Sequence, residues 1–335
     1  MSSPMSPQPG PHELIRLWLA AHRTADQSGE AIQTAVFYEH FWSTWLRYLS
    51  TGRNAALPQP IPWYEATAQD MVGFLATGPS DRKRDDQASS SDITRRRYWR
   101  LLERVYDFAV ARGWLEINPV KEIATRDTPP PENPLGAVLD TEVWLRAKHF
   151  LSASGSKDEV SLRNRALLQL LFDIGLTSQE LRNLRLSSLL YDERNSEPIG
   201  VQIEGRGALS PRTLTLSKST TDSLKMWLLA REKTATQLSK DYLFCTGKGP
   251  LSNVLLFLIV KDLLTRASEA CGKPPPVRTG PMIIRNTLLV ALLNSSAHPA
   301  TWVATFAGLK NVKGLNHLRP HLNEDVRITV RDFSR

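Results

Sequence analysis

Apolar residues recur at helical spacing along the first third of the chain. Residues 12–21 place leucine, isoleucine and tryptophan side chains on one face, and residues 31–50 place valine, leucine and aromatic side chains on one face, which predicts two amphipathic helices. Residues 66–77 predict a short third helix, with Thr67 as its cap. A fourth helix is expected from residue 92 towards Gly113, because glycine readily takes the left-handed conformation that ends helices.

A proline-rich stretch then separates this helical region from the rest of the chain. Four prolines occur within residues 125–138 without a regular repeat, which is typical of a linker. The expected organisation is a disordered tail over residues 1–11, a helical domain over 12–124, this linker, and a second domain over 139–335.

In the second domain most segments show the apolar spacing of helices, and one segment shows the alternation of apolar and polar residues that is typical of strands. Residues 199–203 and 212–216 alternate apolar and polar positions around Gly205-Arg206-Gly207, which predicts a β-hairpin. An edge strand is expected over 242–245. Helices are predicted over 141–152, 162–171, 178–186, 220–234, 251–271, 285–293 and 299–307. The fold class is therefore mainly α with a small β-sheet.

Composition narrows the functional classes. The 335 residues contain 42 Lys and Arg against 34 Asp and Glu, a net charge of +8. This excess fits a protein that binds a polyanion, and it also fits many proteins that bind nothing acidic. Two cysteines exclude a disulfide framework. No apolar run approaches the roughly 20 residues that cross a bilayer, so no membrane partner and a cytoplasmic location are expected.

Three stretches carry a resemblance to a known family. They are TRRRYWRLLERVYDFAVARGWLEINPV at residues 94–120, RALLQLLFDIGL at 165–176 and ELRNLR at 180–185. In pattern and order they resemble the tyrosine recombinase (phage integrase) family. The resemblance implies a core-binding domain over residues 12–124 and a catalytic-like domain over 139–335, which together form a C-shaped clamp on duplex DNA.

The same resemblance implies a set of catalytic positions, most of which hold other residues here. Family members use two arginines on the scissile phosphate, a lysine on the hairpin turn, two later hydrogen-bonding side chains and a nucleophilic tyrosine. Thr177 occupies the position of the first arginine, and Arg206 occupies the position of the lysine. At the position of the second arginine the chain still has an arginine, Arg285. The hydroxyl of Thr177 cannot make the two charged hydrogen bonds that an arginine makes to a phosphate. The guanidinium of Arg206 keeps a positive charge but is a poor proton donor. The remaining positions hold Met282, Leu309 and, near the tyrosine, Leu318.

The nucleophilic tyrosine is missing however the C-terminal part of the sequence is aligned with the family pattern. The last tyrosine in the sequence is Tyr242, which precedes the later motifs, and none occurs from Leu243 to Arg335. Each lost catalytic group typically removes a factor of about 10²–10⁴ in rate. The sequence therefore predicts an inactive relative of the site-specific recombinases. Apolar residues such as Met282 and Leu309 indicate one of two outcomes. Either the former site is closed by packing, or the pocket is still open and its residues have changed by sequence drift.

Basic residues supply the candidate DNA contacts. For those on the fourth helix, an ordinary solvated face is the alternative interpretation. The candidates are Arg95, Arg96, Arg97, Arg100, Arg104, Arg206, Lys248, Arg278 and Arg285. His298, His317 and His321 lack accompanying acids or cysteines, so no metal is expected. No cofactor and no small-molecule substrate are expected either.

Three functions remain open at this point. The first is a sequence-specific double-stranded DNA-binding protein that acts as a regulator, or as an accessory or architectural subunit, of a mobile genetic element. The second is a subunit of a DNA integration or recombination complex whose catalysis an intact partner recombinase supplies. The third is a helical protein with no DNA role. Expected partners are double-stranded DNA and either a second copy or a related intact recombinase.

Overall fold

The computed structural model of the chain divides into two compact units. It describes residues 7–23, 30–51, 59–77, 92–129, 136–153, 155, 158–194, 196–205, 209–295 and 297–326. The first unit comprises Met1–Asn133 and the second Pro134–Arg335, so the division falls within the stretch expected to be a linker. Among the described residues, no helix is both long and apolar enough to span a membrane.

The described part of the first unit is built from four α-helices. Three of the four have bounds within about two residues of those predicted, and α4 ends just before Gly113, whose φ is +72°. The helices are α1 (Pro11–Arg23), α2 (Glu30–Ser50), α3 (Ala68–Thr77) and α4 (Asp92–Ala111).

A buried group of aromatic side chains holds the first unit together. The Tyr106 hydroxyl accepts a hydrogen bond from Trp45 Nε1 at 3.2 Å and donates to the Trp63 carbonyl oxygen at 2.7 Å. Burial raises the pKa of Tyr106, so the phenol stays neutral. These two hydrogen bonds satisfy the buried Trp45 indole and the Tyr106 hydroxyl where the large rings pack together.

The disordered tail predicted over residues 1–11 is too long at its C-terminal end. The Trp42 indole donates to the Pro11 carbonyl at 2.8 Å, and the Trp63 indole donates to the Pro9 carbonyl at 3.0 Å. Buried indole N–H groups need acceptors, and the backbone just before α1 supplies them. Helix α1 accordingly begins at Pro11.

Seven α-helices make up most of the described second unit. Gly175 ends the second of them in the left-handed conformation, with φ of +59°. Helix α10 begins a turn earlier than predicted, because Pro281 starts it and several of its polar residues are buried and hide the helical period. The helices are α5 (Thr141–Ala153), α6 (Glu159–Ile174), α7 (Ser178–Asn183), α8 (Lys218–Thr234), α9 (Asn253–Ala270), α10 (Pro281–Asn294) and α11 (Ala300–Phe306).

A small antiparallel sheet accompanies these helices. Its strand order is β1 (Leu189–Tyr191), β2 (Pro198–Ile203), β3 (Arg212–Thr215), and β2 and β3 form the predicted hairpin. The sequence did not predict β1, because three residues are too few to show alternation. The edge strand expected over 242–245 is found only in part: Tyr242 forms an isolated antiparallel bridge with Arg185, and a short strand begins only at the end of the expected range, where β4 (Cys245–Thr246) pairs with β5 (Gly249–Pro250).

Candidate functional site

The segment after α6 is fixed by a helix cap. Thr177 precedes α7, and its hydroxyl accepts a hydrogen bond from the Glu180 backbone N–H at 3.2 Å. Glu180 Oε2 in turn accepts from the Thr177 backbone N–H at 2.8 Å. This reciprocal capping box satisfies two donors that α7 leaves unpaired. Thr177 therefore has a local structural role at the position where the family resemblance implies an arginine.

Arg285 lies inside the second unit, on α10. Its side chain bridges two backbone carbonyls: Nη1 donates to the Gly175 oxygen and Nη2 to the Ala307 oxygen, each at 2.5 Å. The residue is only 4% exposed, and burial lowers its pKa to about 10, so it remains positively charged at neutral pH. The guanidinium thus joins the end of α6 to the end of α11.

A buried ion pair lies beside this bridge. Arg212 Nη1 on β3 donates to Glu180 Oε1 at 2.6 Å, and both side chains are almost fully buried. Burial alone would raise the pKa of Glu180, but the hydrogen bond and charge of Arg212 outweigh it and leave the pKa below its ordinary value. The carboxylate therefore stays ionised and compensates a buried cation.

The sequence contains a signal for this pair that was missed. Glu180 follows Thr177 at the spacing of a capping box, which predicts that both side chains are engaged at the start of a helix. Nothing in the hairpin pattern distinguishes Arg212 from other polar strand residues. Its burial depends on contacts with a loop nearly a hundred residues away, where a Cβ on Gly308 would lie 2.4 Å from Arg212 Nη1.

The segment just before β3 is hydrogen-bonded to the same loop after α11. Ser210 N donates to the Gly308 oxygen at 2.7 Å, and Leu209 forms an isolated antiparallel bridge with Leu309. Gly308 has φ of +73° and packs against Arg212, so a side chain there would be both strained and obstructed. A cavity of about 40 Å³, lined in part by Thr177, Glu180 and Leu209, remains beside the hairpin.

Comparisons with known proteins agree with this architecture. The chain is 29% identical over 192 residues to tyrosine recombinase XerC of Shewanella oneidensis, covering 57% of this chain and 56% of that protein. The match therefore spans little more than half of that relative. It is 23% identical over 274 residues to tyrosine recombinase XerD of Listeria innocua, covering 81% and 82% of the two chains. No family model matches the sequence.

A solved structure matches the chain along its whole length. The XerH site-specific recombinase, in a post-cleavage complex with its palindromic difH substrate, superposes with a TM-score of 0.70 at 16% identity, covering 100% of both chains. The chain is therefore similar in sequence and in fold to the tyrosine recombinases. Its mostly helical fold with a small sheet is the tyrosine recombinase fold, as the sequence predicted.

The other positions implied by the recombinase family differ in exposure. Met282 is 46% exposed, whereas Leu309 is half-buried and Leu318 packs in the core formed with α11. Packing has therefore closed part of this region, and Met282 remains at the surface. Arg206 lies outside the described residues.

His317 lies next to Leu318 in a polar contact with α10. Its Nδ1 is 2.9 Å from the Gly314 oxygen, and its Nε2 is 3.3 Å from Asn286 Oδ1. Burial lowers the pKa of His317. The described residues contain no group of three side chains suited to hold a metal ion.

The basic residues of α4 in this recombinase-like chain differ in how they are engaged. Arg95 pairs with Asp92. The Arg96 guanidinium lies 4.1 Å from the centre of the Trp99 ring and donates to the Pro129 oxygen at 2.8 Å. The exposed members of the set are Arg97, Arg100 and Arg104.

Two further basic candidates are exposed on the second unit. Lys248 lies in the turn between β4 and β5, and Arg278 lies in the segment that leads into α10. Arg285 differs from both because it is buried.

Glu180→Gln tests the buried ion pair. The amide retains an oxygen for the Thr177 cap but leaves the Arg212 charge uncompensated in the interior. We expect the free energy of unfolding to fall by about 3 kcal/mol or more, measured by urea denaturation at pH 7. Asp222→Asn is the matched control: it breaks the exposed Lys218–Asp222 pair (3.0 Å) and should cost under about 1 kcal/mol.

The pH dependence of the same variant gives a second readout. Because the pKa of Glu180 is lowered on folding, its contribution is fully present above the ordinary carboxyl pKa. That contribution is lost as pH falls through the folded-state value. The difference in free energy of unfolding between the wild-type protein and Glu180→Gln should therefore become smaller at acidic pH. A constant gap from neutral to acidic pH would contradict a charged Glu180.

Proposed function

We propose that this chain is a sequence-specific double-stranded DNA-binding protein that has kept the tyrosine recombinase fold but not its cleavage reaction. It acts as a regulator, or as an accessory or architectural subunit, of a mobile genetic element. The observation that carries the proposal is the pair of hydrogen bonds that the Arg285 guanidinium donates to the Gly175 and Ala307 carbonyl oxygens.

An arginine in that arrangement is poorly placed to hold a phosphate. Both terminal nitrogens already donate to carbonyl oxygens, and the residue has almost no solvent-exposed surface. Turning the guanidinium towards a phosphate would break two charge-assisted hydrogen bonds, each typically worth about 1.5–3 kcal/mol. Retention of Arg285 in the sequence is thus accounted for by its role in packing.

The missing nucleophile supports the same conclusion. Leu318, near the position implied for the tyrosine, is fully buried, and no tyrosine follows Tyr242 in the sequence. Leu309, at a position implied for a hydrogen-bonding histidine, cannot donate to a phosphate oxygen. A chain without these groups has no route to a covalent phosphotyrosyl intermediate.

DNA binding is supported by charge and by the related structure. The net charge is +8, and Arg97, Arg104 and Arg278 are exposed. The XerH chain that superposes at a TM-score of 0.70 is bound to its difH substrate. We propose that the present chain also binds duplex DNA, with its exposed cations contacting phosphates.

One observation favours a second candidate function. The relatives are named as recombinases, and the described part of the second unit folds around the altered site. A chain of this kind can occupy a place in a recombination complex while an intact partner recombinase cleaves the strands.

A nicked duplex that traps covalent intermediates tests the loss of cleavage. The duplex carries a site selected from a random library by the full-length chain, with nicks placed across that site. We expect binding without a covalent protein–DNA adduct on denaturing gels. An intact tyrosine recombinase on a nicked version of its own site is the positive control.

Two results would change the assignment. An adduct formed by this chain alone contradicts the proposal of an inactive relative. An adduct formed on an intact recombinase only when this chain is added favours the second candidate function.

Arg104→Ala tests the expected phosphate contact on α4. Affinity for duplex DNA should fall, and the slope of log affinity against log salt should become shallower by about 0.9, because each phosphate contact releases counterions. Lys218→Ala is the control, since this exposed lysine is already held by Glu197 and Asp222. Unchanged affinity and slope in Arg104→Ala would mean that α4 does not face the DNA.

A further inference from the structure

The linker expected over residues 125–138 is held near its start by a side chain of α4. Arg96 Nη1 donates a hydrogen bond to the Pro129 carbonyl oxygen at 2.8 Å, and Pro129 is buried. The guanidinium also lies 4.1 Å from the centre of the Trp99 ring, which limits the orientations that it can take. We call the contact between Arg96 and Pro129 the entry clamp. It lies just before residues 130–135 in the chain.

The end of the same linker is held by two consecutive residues of α10. Asn286 Nδ2 donates to the Ala137 oxygen at 3.2 Å, and Thr287 Oγ1 accepts from the Leu139 backbone N–H at 2.8 Å. Residues 136–139 belong to no helix or strand, so their backbone polar groups need partners from elsewhere in the fold. Two side chains of α10 supply such partners.

Gly136 is held by a further hydrogen bond and by close packing. Its backbone N–H donates to the His317 oxygen at 2.9 Å. An added Cβ would lie 2.7 Å from Leu318 Cδ2 and 2.8 Å from His317 Cδ2, so the backbone approaches this closely because glycine has no side chain. We call the contacts of residues 136–139 with α10 and with His317 the exit clamp.

The two clamps leave a short tether between the units. The expected linker has fourteen residues, 125–138, but only six lie between Pro129 and Gly136. Loss of the exit clamp lengthens the tether to the ten residues 130–139, since Asp140 is held separately by Lys273 at 2.7 Å. When two binding units share one chain, the effective concentration of one at the site of the other falls roughly as the −3/2 power of tether length.

We propose that the exit clamp raises the affinity of the chain for duplex DNA by keeping this tether short. Without the clamp, residues 136–139 lose conformational freedom each time both units bind one duplex. The clamp instead fixes those residues in the folded protein before DNA binds. The proposal rests on the proposed DNA-binding function, and it gives Asn286 and Thr287 a role in affinity without a contact to DNA.

Gly136→Ala tests the exit clamp. The added methyl group meets Leu318 and His317, whereas the φ of Gly136 is not positive and alanine meets no backbone strain there. We expect the Leu139 amide hydrogen to exchange faster than in wild type, because displacement of the exit withdraws it from Thr287. We also expect about twofold weaker affinity for a duplex selected from a random library, since the tether grows from six residues to ten.

Gly155→Ala is the matched control, because an added Cβ there meets no described atom within 4 Å. Neither Leu139 exchange nor DNA affinity should change in this control. Wild-type exchange at Leu139 as fast as in an unfolded peptide overturns the exit clamp itself. Faster exchange in Gly136→Ala together with unchanged or tighter DNA binding overturns its role in affinity.

A lengthened linker separates the effect of tether length from damage to the second unit. Insertion of Gly-Ser-Gly-Ser between Asn133 and Pro134 adds four residues and leaves both clamps in place. Affinity should again fall about twofold, while the Leu139 amide keeps its wild-type exchange rate. An insertion without effect on affinity overturns the proposal. Failure of the wild-type chain to bind any duplex overturns the proposed function instead, and Leu139 exchange still reports the clamp.

Arg96→Ala tests the start of the tether. Loss of the entry clamp releases only Pro129, because Thr128 is held by its own hydrogen bonds to Ala124 and Thr125. Affinity and the slope of log affinity against log salt should therefore stay close to the wild-type values. A slope shallower by about 0.9 would show that Arg96 contacts a phosphate, and would overturn its assignment to the linker.

Discussion

A buried positive charge organises the centre of the second unit. The guanidinium of Arg285 is removed from water and remains charged, so it requires acceptors fixed in the interior. The carbonyls of Gly175 and Ala307 provide them, one at the end of α6 and one at the end of α11. Three helices are thereby held in one arrangement by this one side chain.

A second buried cation nearby imposes a further constraint. Arg212 adds to the local positive charge and is balanced by Glu180, which also completes the cap begun by Thr177. The Glu180 carboxylate thus interacts electrostatically with both buried guanidinium groups, those of Arg212 and Arg285. An arginine in place of Thr177 would bring a third cation to this region and remove the capping hydroxyl. Gly308 is required as well, because any side chain there would meet the Arg212 guanidinium.

Much of the fold was predictable because it depends on local patterns. Most helices follow from apolar periodicity and from caps such as Gly175, and the hairpin follows from alternation. The start of α10 was missed because buried polar residues, including Asn286 and Thr287, interrupt the apolar stripe. Strand β1 was missed because pairing with β2, rather than its own three residues, defines it.

The site was harder to predict than the fold. Motif resemblance identified Thr177 and Arg285, but it suggested a surface contact for Arg285 where the structure has an internal bridge. That difference depends on two carbonyls that are 110 and 22 residues away in the chain. No local pattern encodes such a contact, and the pairing of Arg212 with Glu180 also joins residues that are 32 positions apart.

The most direct test of this account observes the Arg285 side chain itself. Nitrogen-15 NMR of the guanidinium group, with and without a bound duplex, reports hydrogen bonding and proton exchange at its terminal nitrogens. An internal bridge predicts slowly exchanging protons whose signals stay unchanged when DNA binds. A shift of those signals upon binding, with altered exchange, would mean that Arg285 leaves the carbonyls for a phosphate, and would contradict the account.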